Sequence, residues 1–458
     1  MQRVLETVNS VVWGAPALVL ILGVGVLLSI ATGFVQLRLF PEALKSFIHK
    51  LLGKGEKTNG VSGFQALCTA LAATVGTGNI AGVAGAIAIG GPGSVFWMWV
   101  CAFFGMITKY AEATLAVHYR KKGEHGEILG GPMYMIRYGM HRRWHWLASL
   151  YAFFGIAAAF GMGNATQINA VIGGIHSAAE AVGVSLSENT DWVIGLLAGL
   201  LVAVLLLGGA KRVGRFAELL VPFASFAYIL MCLGVLIARL DALPGAFCAI
   251  VQGAFSPKAV TGGMLGSAFA ALRTGVSRGV FTNEAGMGTA AIAHAGAAVE
   301  HPAQQGLMGI MEVFLDTVVI CTMTALAILC SGISIPFGLD EGVLLTARAF
   351  SNIYGQWICV PLMLFLCCFA FATMLGWGLY GVRCVQYLLG EKVFKWFVVL
   401  QTAVIVFSTT MKTGTVWMLS ETVNGLMAIP NLIALAALCP VTVKLTKDYI
   451  LKTQRTPL

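Results

Sequence analysis

Long runs of apolar residues, separated by short polar segments, recur along almost the whole chain. A helix of about 20 apolar residues crosses a hydrocarbon core about 30 Å thick. The pattern therefore predicts eleven transmembrane helices, at residues 14–37, 64–90, 93–119, 146–176, 192–210, 217–238, 260–283, 306–330, 356–380, 396–411 and 422–443. The alternating ten-residue strands typical of an outer-membrane barrel do not occur in the sequence. We predict an all-α polytopic membrane protein.

The second run is interrupted near its middle. Residues 71–91 read LAATVGTGNIAGVAGAIAIGG and place Gly76-Thr77-Gly78-Asn79 where a spanning helix is normally regular. Glycine costs about 1 kcal/mol relative to alanine inside a helix, so two glycines favour local unwinding. Unwound backbone at membrane depth must be buried in protein or line a cavity. The alternative is close helix packing through small residues.

A second interruption lies some 200 residues later, in ALRTGVSRGVFTNEAGMGTA at residues 271–290, where glycines and hydroxyl residues again enter an apolar segment. The two interruptions begin two sets of five spans, which enter the membrane from opposite sides because five is odd. That arrangement is typical of inverted-repeat secondary transporters. The predicted organisation is an additional helix and linker (1–63), a first repeat (64–259), a second repeat (260–443) and a cytoplasmic tail (444–458).

Composition supports a membrane protein and charge gives its orientation. Of 458 residues, 58% are hydrophobic and 11% charged, with a mean hydropathy of +0.84. Most of the 29 basic residues fall on alternate loops, including Arg273 and Arg278 at the end of the seventh span. Because cytoplasmic loops collect Lys and Arg, the N-terminus is predicted outside and the C-terminus inside. The basic residues of the cytoplasmic loops then account for the net charge of +9, and no nucleic-acid partner is indicated.

Three segments carry a family resemblance: TVGTGNIAGVAGAIAIGGPGSVFWMWV, RTGVSRGVFTNEAGMGTAAIAHA and FATMLGWGLYGVRC. Together they resemble the alanine/glycine:cation symporter family of prokaryotes, across nearly the whole chain. The resemblance implies symport of small neutral amino acids, including alanine, glycine and D-alanine, with sodium as the co-transported ion and no organic cofactor. It also implies a location in the prokaryotic cell membrane.

Residues 75–79 are in addition similar to the broken first helix of the sodium-coupled bacterial leucine transporter. This similarity implies the five-plus-five inverted-repeat transporter fold, with span 14–37 as one extra N-terminal helix.

Candidate substrate residues lie at the interruptions and on two further spans. A broken helix offers N–H groups to a carboxylate and carbonyls to an ammonium group. The predicted substrate residues are Thr77, Gly78, Asn79, Gln167, Thr274, Gly275 and Trp377. Gln167 could instead make a polar contact between helices. Trp377 is expected to cover a small side chain, and its alternative is an interfacial aromatic.

Candidate cation ligands are Val75, Asn79 and Thr373, because a hard cation such as sodium prefers oxygen. Asp316, one turn from Glu312, could anchor a cation or accept a proton, since intramembrane charges are functional hypotheses by default. Lys109 and Glu112, three residues apart, are expected to neutralise each other locally.

The segment RGVFTNEAGMGT lacks the Gly-Lys-Ser/Thr of a phosphate loop, so nucleotide binding is not indicated. We predict instead a cytoplasmic gate with Arg278 and Glu284 in a salt-bridge network. A membrane enzyme would need a nucleophile, base or metal gathered at one membrane face, and the sequence shows none. A channel, and proton rather than sodium coupling, remain alternatives at this level. The oligomeric state is left open.

Overall fold

The computed structural model describes residues 2–52, 61–123, 126–255, 268–338, 342–411 and 413–455. Four helices come first: α1 (Gln2–Val12), α2 (Ala15–Thr32), α3 (Val35–Arg38) and α4 (Phe40–Leu51). The middle of the chain forms α5 (Gly63–Thr74), α6 (Val83–Gly90), α7 (Gly93–His118), α8 (Pro132–Gly139), α9 (Trp146–Ala158), α10 (Thr166–Ala181), α11 (Glu188–Leu206), α12 (Gly209–Ala238) and α13 (Leu243–Phe255).

The remaining helices are α14 (Ala268–Asn283), α15 (Thr289–His294), α16 (Pro302–Val313), α17 (Thr322–Cys330), α18 (Val343–Tyr354), α19 (Cys359–Leu389), α20 (Phe394–Ser408), α21 (Thr413–Ala437) and α22 (Cys439–Arg455). Among the described residues, four two-residue strands form two small pairs. β1 (Val61–Ser62) pairs in parallel with β4 (Ala297–Ala298), and β2 (Lys121–Lys122) pairs antiparallel with β3 (Ile128–Leu129).

In the part of the chain that the structure describes, three π-helical segments join consecutive helices. They are Gly78–Gly82 before α6, Ala159–Ala165 between α9 and α10, and Phe314–Cys321 between α16 and α17. Such turns are rare and are frequently found at functional sites. Short 3₁₀ turns lie at Arg142–Trp144, Leu240–Ala242, Gln356–Ile358 and Glu391–Val393.

Within the described ranges, eight helical stretches are long and apolar enough to cross a membrane: Thr7–Thr32, Gly93–His118, Arg142–Ala181, Asn189–Leu206, Gly209–Ala238, Pro302–Cys330, Gln356–Leu389 and Gly414–Ala437. A bent pair, Gly63–Thr74 with Gly78–Gly90, makes a ninth and turns by 52°. Of the two other predicted spans, 396–411 corresponds to α20, which has 15 residues, and the part of 260–283 that the structure describes is the 16-residue α14; residues 260–267 lie outside the described residues. The number eleven stays a prediction.

The centre of the molecule lies around α5, α7, α14, α16 and α19. Helix α7 packs against α14 and α16, and α19 packs against α5 and α10. Helices at the periphery expose apolar side chains, such as Leu219 and Phe223 on α12, as helices in contact with lipid must. The central helices instead bury charged side chains, which places the chemistry of the protein between them.

The placement of Arg273 and Arg278 in a loop is wrong. Both lie inside α14, and Arg278 is buried. The hydrophobic pattern could not separate the helix from its flank because α14 is only weakly apolar. The orientation of the termini stays a prediction, based on the remaining basic loops.

Candidate substrate and cation site

The first break is confirmed at the predicted glycines. Helix α5 begins with a capping box between Ser62 and Gln65 and ends at Thr74, and Val75 adopts an extended conformation. The side-chain oxygen of Asn79 accepts the Gly76 N–H at 2.8 Å. Asn79 therefore stabilises the unwound turn of its own helix.

The second break lies about ten residues later than predicted. Helix α14 runs without interruption through Thr274, Gly275 and Gly279 to Asn283. The chain unwinds instead over 284–288, where Glu284, Gly286 and Gly288 have φ of 54°, 90° and 76°. Positive φ is readily adopted by glycine and seldom by glutamate.

The unwinding predicted at Thr274 and Gly275 is therefore wrong, and both residues pack between helices. A Cβ on Gly275 would collide with Ser94 and Trp97 of α7. Thr274 lies beside Gly90, at the end of α6 away from the first break. These glycines permit close helix packing, which was the alternative considered for the first break.

The second break is held by Glu112 of α7. Its Oε1 accepts N–H groups from Gly286 at 3.0 Å and Gly288 at 3.1 Å, and the Asn431 amide at 2.7 Å. An anion at the start of a helix is stabilised by the free N–H groups and the helix dipole. The predicted local pair of Glu112 with Lys109 is wrong, because each side chain bonds to another helix.

Lys109 pairs with Glu312 of α16 at 2.8 Å, and both side chains are fully buried. The other oxygen of Glu312 lies 2.9 Å from Nε2 of His294, the last residue of α15. This three-residue cluster ties α7, α15 and α16 together beside the second break.

A chain of hydrogen bonds joins the two breaks through Asp316. Asn79 donates to Asp316 Oδ1 at 2.7 Å, and Thr317 donates to Asp316 Oδ2 at 2.8 Å. Asn283, the last residue of α14, donates to Thr317 Oγ1 at 3.1 Å. Asp316 is fully buried and receives only neutral donors among the described residues. This carboxyl group thus stands between the two broken helices.

Three buried oxygens near Gly76 have no hydrogen-bond partner among the described residues: Thr77 Oγ1, Gln167 Oε1 and Thr373 Oγ1. A Cβ on Gly76 would lie 2.5 Å from Thr373 Oγ1 and 3.6 Å from Gln167 Oε1, so α5, α10 and α19 converge here. Buried polar groups are normally satisfied, and exceptions often mark a site that binds something else.

Trp377 closes this region from α19. It is fully buried, which rules out the interfacial alternative, and its indole N–H donates to Glu284 Oε1 at 2.8 Å. The other Glu284 oxygen accepts the Thr289 hydroxyl. Gly78 faces α14, where an added Cβ would lie 3.0 Å from Thr282 Cγ2. Substrate-region residues of both broken helices therefore lie together.

The predicted gate residues do not contact each other in the described hydrogen bonds and ion pairs. Arg278 pairs with Glu421 of α21 at 3.3 Å and lies over the Trp417 ring. Phe281 stacks on the same ring, with centroids 4.9 Å apart. Glu284 is the first residue of the second break itself. The pairing of Arg278 with Glu421 depends on α14 and α21 meeting, which the sequence pattern does not reveal.

Several site residues escaped sequence reasoning: His294, Glu421 and Asn431, together with the partner role of Glu312. The sequence could have indicated these residues, because each is a polar residue within or beside an apolar segment. Across the described ranges, no three His, Cys, Asp or Glu side chains converge as a metal cluster. A bound cation would depend on hydroxyl, amide, carbonyl and single carboxylate oxygens, which suit a hard ion.

Two broken helices buried in a membrane bundle, with free oxygens at one break, define a secondary transporter rather than an enzyme. The comparisons agree with that class. A match to the sodium:alanine symporter family covers residues 1–457, and the chain belongs to this family.

Two relatives illustrate the range of the family. The sodium/alanine symporter AgcS of Methanococcus maripaludis is 42% identical over 452 residues, with 97% of this chain and 96% of the relative covered. The probable sodium/glutamine symporter GlnT of Bacillus subtilis is 36% identical over 455 residues, covering 98% and 91%.

Among solved structures, MhsT in complex with L-phenylalanine matches with a TM-score of 0.58 at 13% identity, covering 85% of this chain and 99% of that chain. The fold is thus that of the bacterial leucine transporter group, as predicted, whereas the five-plus-five inverted repeat stays a prediction. The protein is a multi-pass membrane symporter that moves an amino acid together with a cation.

Proposed function

We propose that the protein couples sodium to the symport of small neutral amino acids, with alanine and glycine as the principal substrates. The observation that carries this proposal is the group of unpartnered oxygens, Thr77 Oγ1, Gln167 Oε1 and Thr373 Oγ1, gathered around Gly76 at the first break. The family and the relative AgcS support sodium and alanine.

The cation site is proposed between the first break and its neighbours. Thr373 Oγ1 and the backbone carbonyl at Val75 would provide neutral oxygens on one side. The Asn79 oxygen accepts one hydrogen bond and keeps a second lone pair. Asp316, bonded to the same amide, supplies the negative charge that lowers the cost of burying a cation.

The substrate is proposed to bind beside this cation. Its carboxylate would approach the N–H groups of Thr77 and Gly78, where the absence of a side chain on Gly78 permits close contact. Gln167 would contribute its free carbonyl oxygen to the ammonium group. Trp377, locked by Glu284, limits the space for the side chain and favours alanine or glycine over larger residues.

Transport is proposed to follow alternating access, with the N-terminus outside and the C-terminus in the cytoplasm. Both breaks are buried in this structure, so each side must open in turn. With α14 entering from outside, the Arg278–Glu421 pair would lie on the external side of the site, and its separation would admit substrate. We therefore propose an external gate, whereas the sequence analysis predicted a cytoplasmic one.

Proton coupling is the second candidate, because Asp316 is buried among neutral donors and could carry a proton in place of a cation. The test is uptake of radiolabelled alanine into proteoliposomes under a sodium gradient, a proton gradient, or neither. Concentrative uptake that follows sodium supports the proposal. Uptake that is unchanged without sodium and follows the proton gradient would replace sodium by protons.

A further inference from the structure

One turn of α21 carries both residues that contact Arg278 at the proposed external gate. Glu421 pairs with Arg278, and the Trp417 ring lies with its centroid 5.2 Å from the guanidinium carbon. We refer to residues 417–422 as the gate turn. The ion pair joins α14 to α21, so it forms only when α21 holds the gate turn against α14.

The N-terminal helix α1 is bonded to the gate turn through three hydrogen bonds. Trp13, directly after the end of α1, donates its indole N–H to the backbone carbonyl of Glu421 at 2.9 Å. Asn9 donates its amide N–H groups to the Met418 carbonyl at 3.3 Å and to the Thr422 hydroxyl at 3.1 Å. Trp13 is only 2% exposed, so water does not compete for its bond.

Close packing connects α1 to the centre of the molecule as well as to α21. A Cβ on Gly425 of α21 would collide with Val12 and lie 3.3 Å from the indole nitrogen of Trp13. Helix α1 is followed directly by α2, which packs against α7. A Cβ on Gly25 of α2 would lie 2.7 Å from Phe104 Cβ of α7. Helix α1 therefore links the gate turn to a central helix.

The gate turn lies before a proline in α21. Pro430 has no N–H, so α21 lacks one backbone hydrogen bond there and is able to bend. Asn431, the next residue, is bonded to Glu112 and to the Gly286 carbonyl at the second break. One part of α21 is thus fixed to the second break, whereas the part that carries the gate turn is held by α1.

We propose that Trp13 and Asn9 are positioning residues for the external gate. They hold the gate turn where Glu421 reaches Arg278, so their loss favours the open gate. The inference rests on the proposed function for the existence of the gate and its external position. The N-terminal helix thereby acts on transport, although it precedes both broken helices in sequence.

Two substitutions remove these hydrogen bonds and keep most of the packing. Trp13→Phe removes the indole N–H and retains an aromatic ring, and Asn9→Leu removes the amide at similar size. Loss of one net hydrogen bond should change the ratio of open to closed gate by about two- to tenfold. Ser10→Ala is the matched control, because the Ser10 hydroxyl is exposed and bonds to the Thr7 carbonyl within α1.

Gate opening is measured with a cysteine placed just inside the gate. An added Cβ on Gly82 of the first broken helix would meet only Thr282 Cγ2, at 3.9 Å, so Gly82→Cys has space. A membrane-impermeant thiol reagent is applied to right-side-out vesicles, and labelling of the peptide that contains residue 82 is quantified by mass spectrometry. Trp13→Phe and Asn9→Leu should each raise the labelling rate about two- to tenfold.

Two controls separate gate opening from general loosening. Ser10→Ala should label at the unmodified rate. Cys232 is fully buried in α12, and its peptide is quantified in the same samples. It should stay unlabelled in every variant. Labelling of Cys232 that rises together with labelling at residue 82 would assign α1 to folding alone and overturn the proposal.

A double substitution tests whether α1 acts through Glu421. Glu421→Gln removes the ion pair and should raise labelling by itself. Adding Trp13→Phe should then cause little further increase, because effects that act through one shared contact are not additive. An unchanged labelling rate in Trp13→Phe and Asn9→Leu refutes the inference. So does an equal increase from Trp13→Phe with and without Glu421→Gln.

The labelling experiment requires neither sodium nor an amino acid, so it is independent of the proposed substrates. Absence of sodium-driven alanine uptake in all proteins would refute the proposed function and leave the labelling result standing. The reagent is also applied to inside-out vesicles. An increase seen only from that side would refute the external position of the gate, while the positioning role of Trp13 and Asn9 would be supported.

Discussion

Asn79 donates its amide N–H to Asp316 over 2.7 Å, and this bond joins the first broken helix to the π-helical segment Phe314–Cys321. The same amide accepts the Gly76 N–H through its oxygen. One side chain thus fixes the unwound backbone and orients a buried carboxylate. A change at either residue should disturb cation binding before it disturbs the fold.

Replacing Asp316 with asparagine should weaken sodium binding. The substitution keeps the size of the side chain but removes the negative charge that offsets a buried cation. The sodium concentration for half-maximal alanine binding should rise about tenfold or more, equivalent to about 1.4 kcal/mol. Scintillation-proximity binding to purified protein measures it. Thr324→Val, further along the same spanning helix, is the control and should leave sodium dependence unchanged. An unshifted sodium response in Asp316→Asn would remove this residue from the cation site.

Thr373 allows a cleaner substitution because valine has nearly the same shape. Its hydroxyl oxygen points at Gly76 and has no partner among the described residues. We expect Thr373→Val to raise the sodium requirement severalfold, while Thr373→Ser restores it. Sodium titration of transport at equal membrane expression distinguishes the two. Equal sodium dependence in the valine and serine variants would assign Thr373 to packing.

Gly78 should tolerate no branched side chain. An added Cβ would lie 3.0 Å from Thr282 Cγ2 and 3.4 Å from Phe281 of the second broken helix. Gly78→Val is therefore expected to abolish alanine binding, by filling the substrate space and forcing α14 away. Gly82→Ala is the matched control, because its Cβ would meet only Thr282 Cγ2 at 3.9 Å. Retained alanine affinity in a folded Gly78→Val protein would exclude the proposed carboxylate site.

Trp377 should determine the size of the substrate. Its ring is fully buried and its N–H is fixed by Glu284. Trp377→Ala should admit leucine, whereas Trp377→Phe should keep alanine selectivity and lose about 1–3 kcal/mol of stability because Glu284 loses a buried donor. Competition binding with alanine, glycine and leucine tests the first expectation, and thermal unfolding tests the second. Leucine exclusion by Trp377→Ala would place the substrate side chain elsewhere.

Loss of one partner of the Lys109–Glu312 ion pair should destabilise the protein. Removing one partner of a buried pair costs about 3–5 kcal/mol because the other charge stays buried alone. Lys109→Met should therefore lower the thermal unfolding temperature strongly, and Lys109→Met combined with Glu312→Gln should recover part of the loss. A double variant no more stable than the single one would show that Glu312 is adequately held by His294.

Sequence reasoning succeeded where the determining signal was local. Gly76 and Gly78 flank Thr77 and are followed by Asn79, and all the groups that unwind and stabilise the first break lie within four residues. Gly275 and Gly279 form a similar glycine pattern but do not break their helix. They are small residues that let α14 pack closely where it crosses α7.

The true second break depends on a residue far away in sequence. Glu112 accepts the N–H groups of Gly286 and Gly288 from another helix, and no pattern within 284–288 shows that partner. Lys109 and Glu112 were assigned to each other from their spacing along one helix. Tertiary packing gave each a better partner, which only the arrangement of α7, α15 and α16 reveals.

Glu112 acts at the second break as a permanent internal ligand. Every backbone N–H from Glu284 to Gly288 already has an acceptor inside the protein: Val280 O, Asn283 Oδ1, Glu112, Glu284 O and Glu112 in turn. The backbone N–H groups of the second break are therefore already bonded within the protein, two of them to the carboxylate of Glu112. If the substrate carboxylate binds at the first break as proposed, these bonded N–H groups leave no equivalent place at the second break for the side-chain carboxylate of an acidic amino acid.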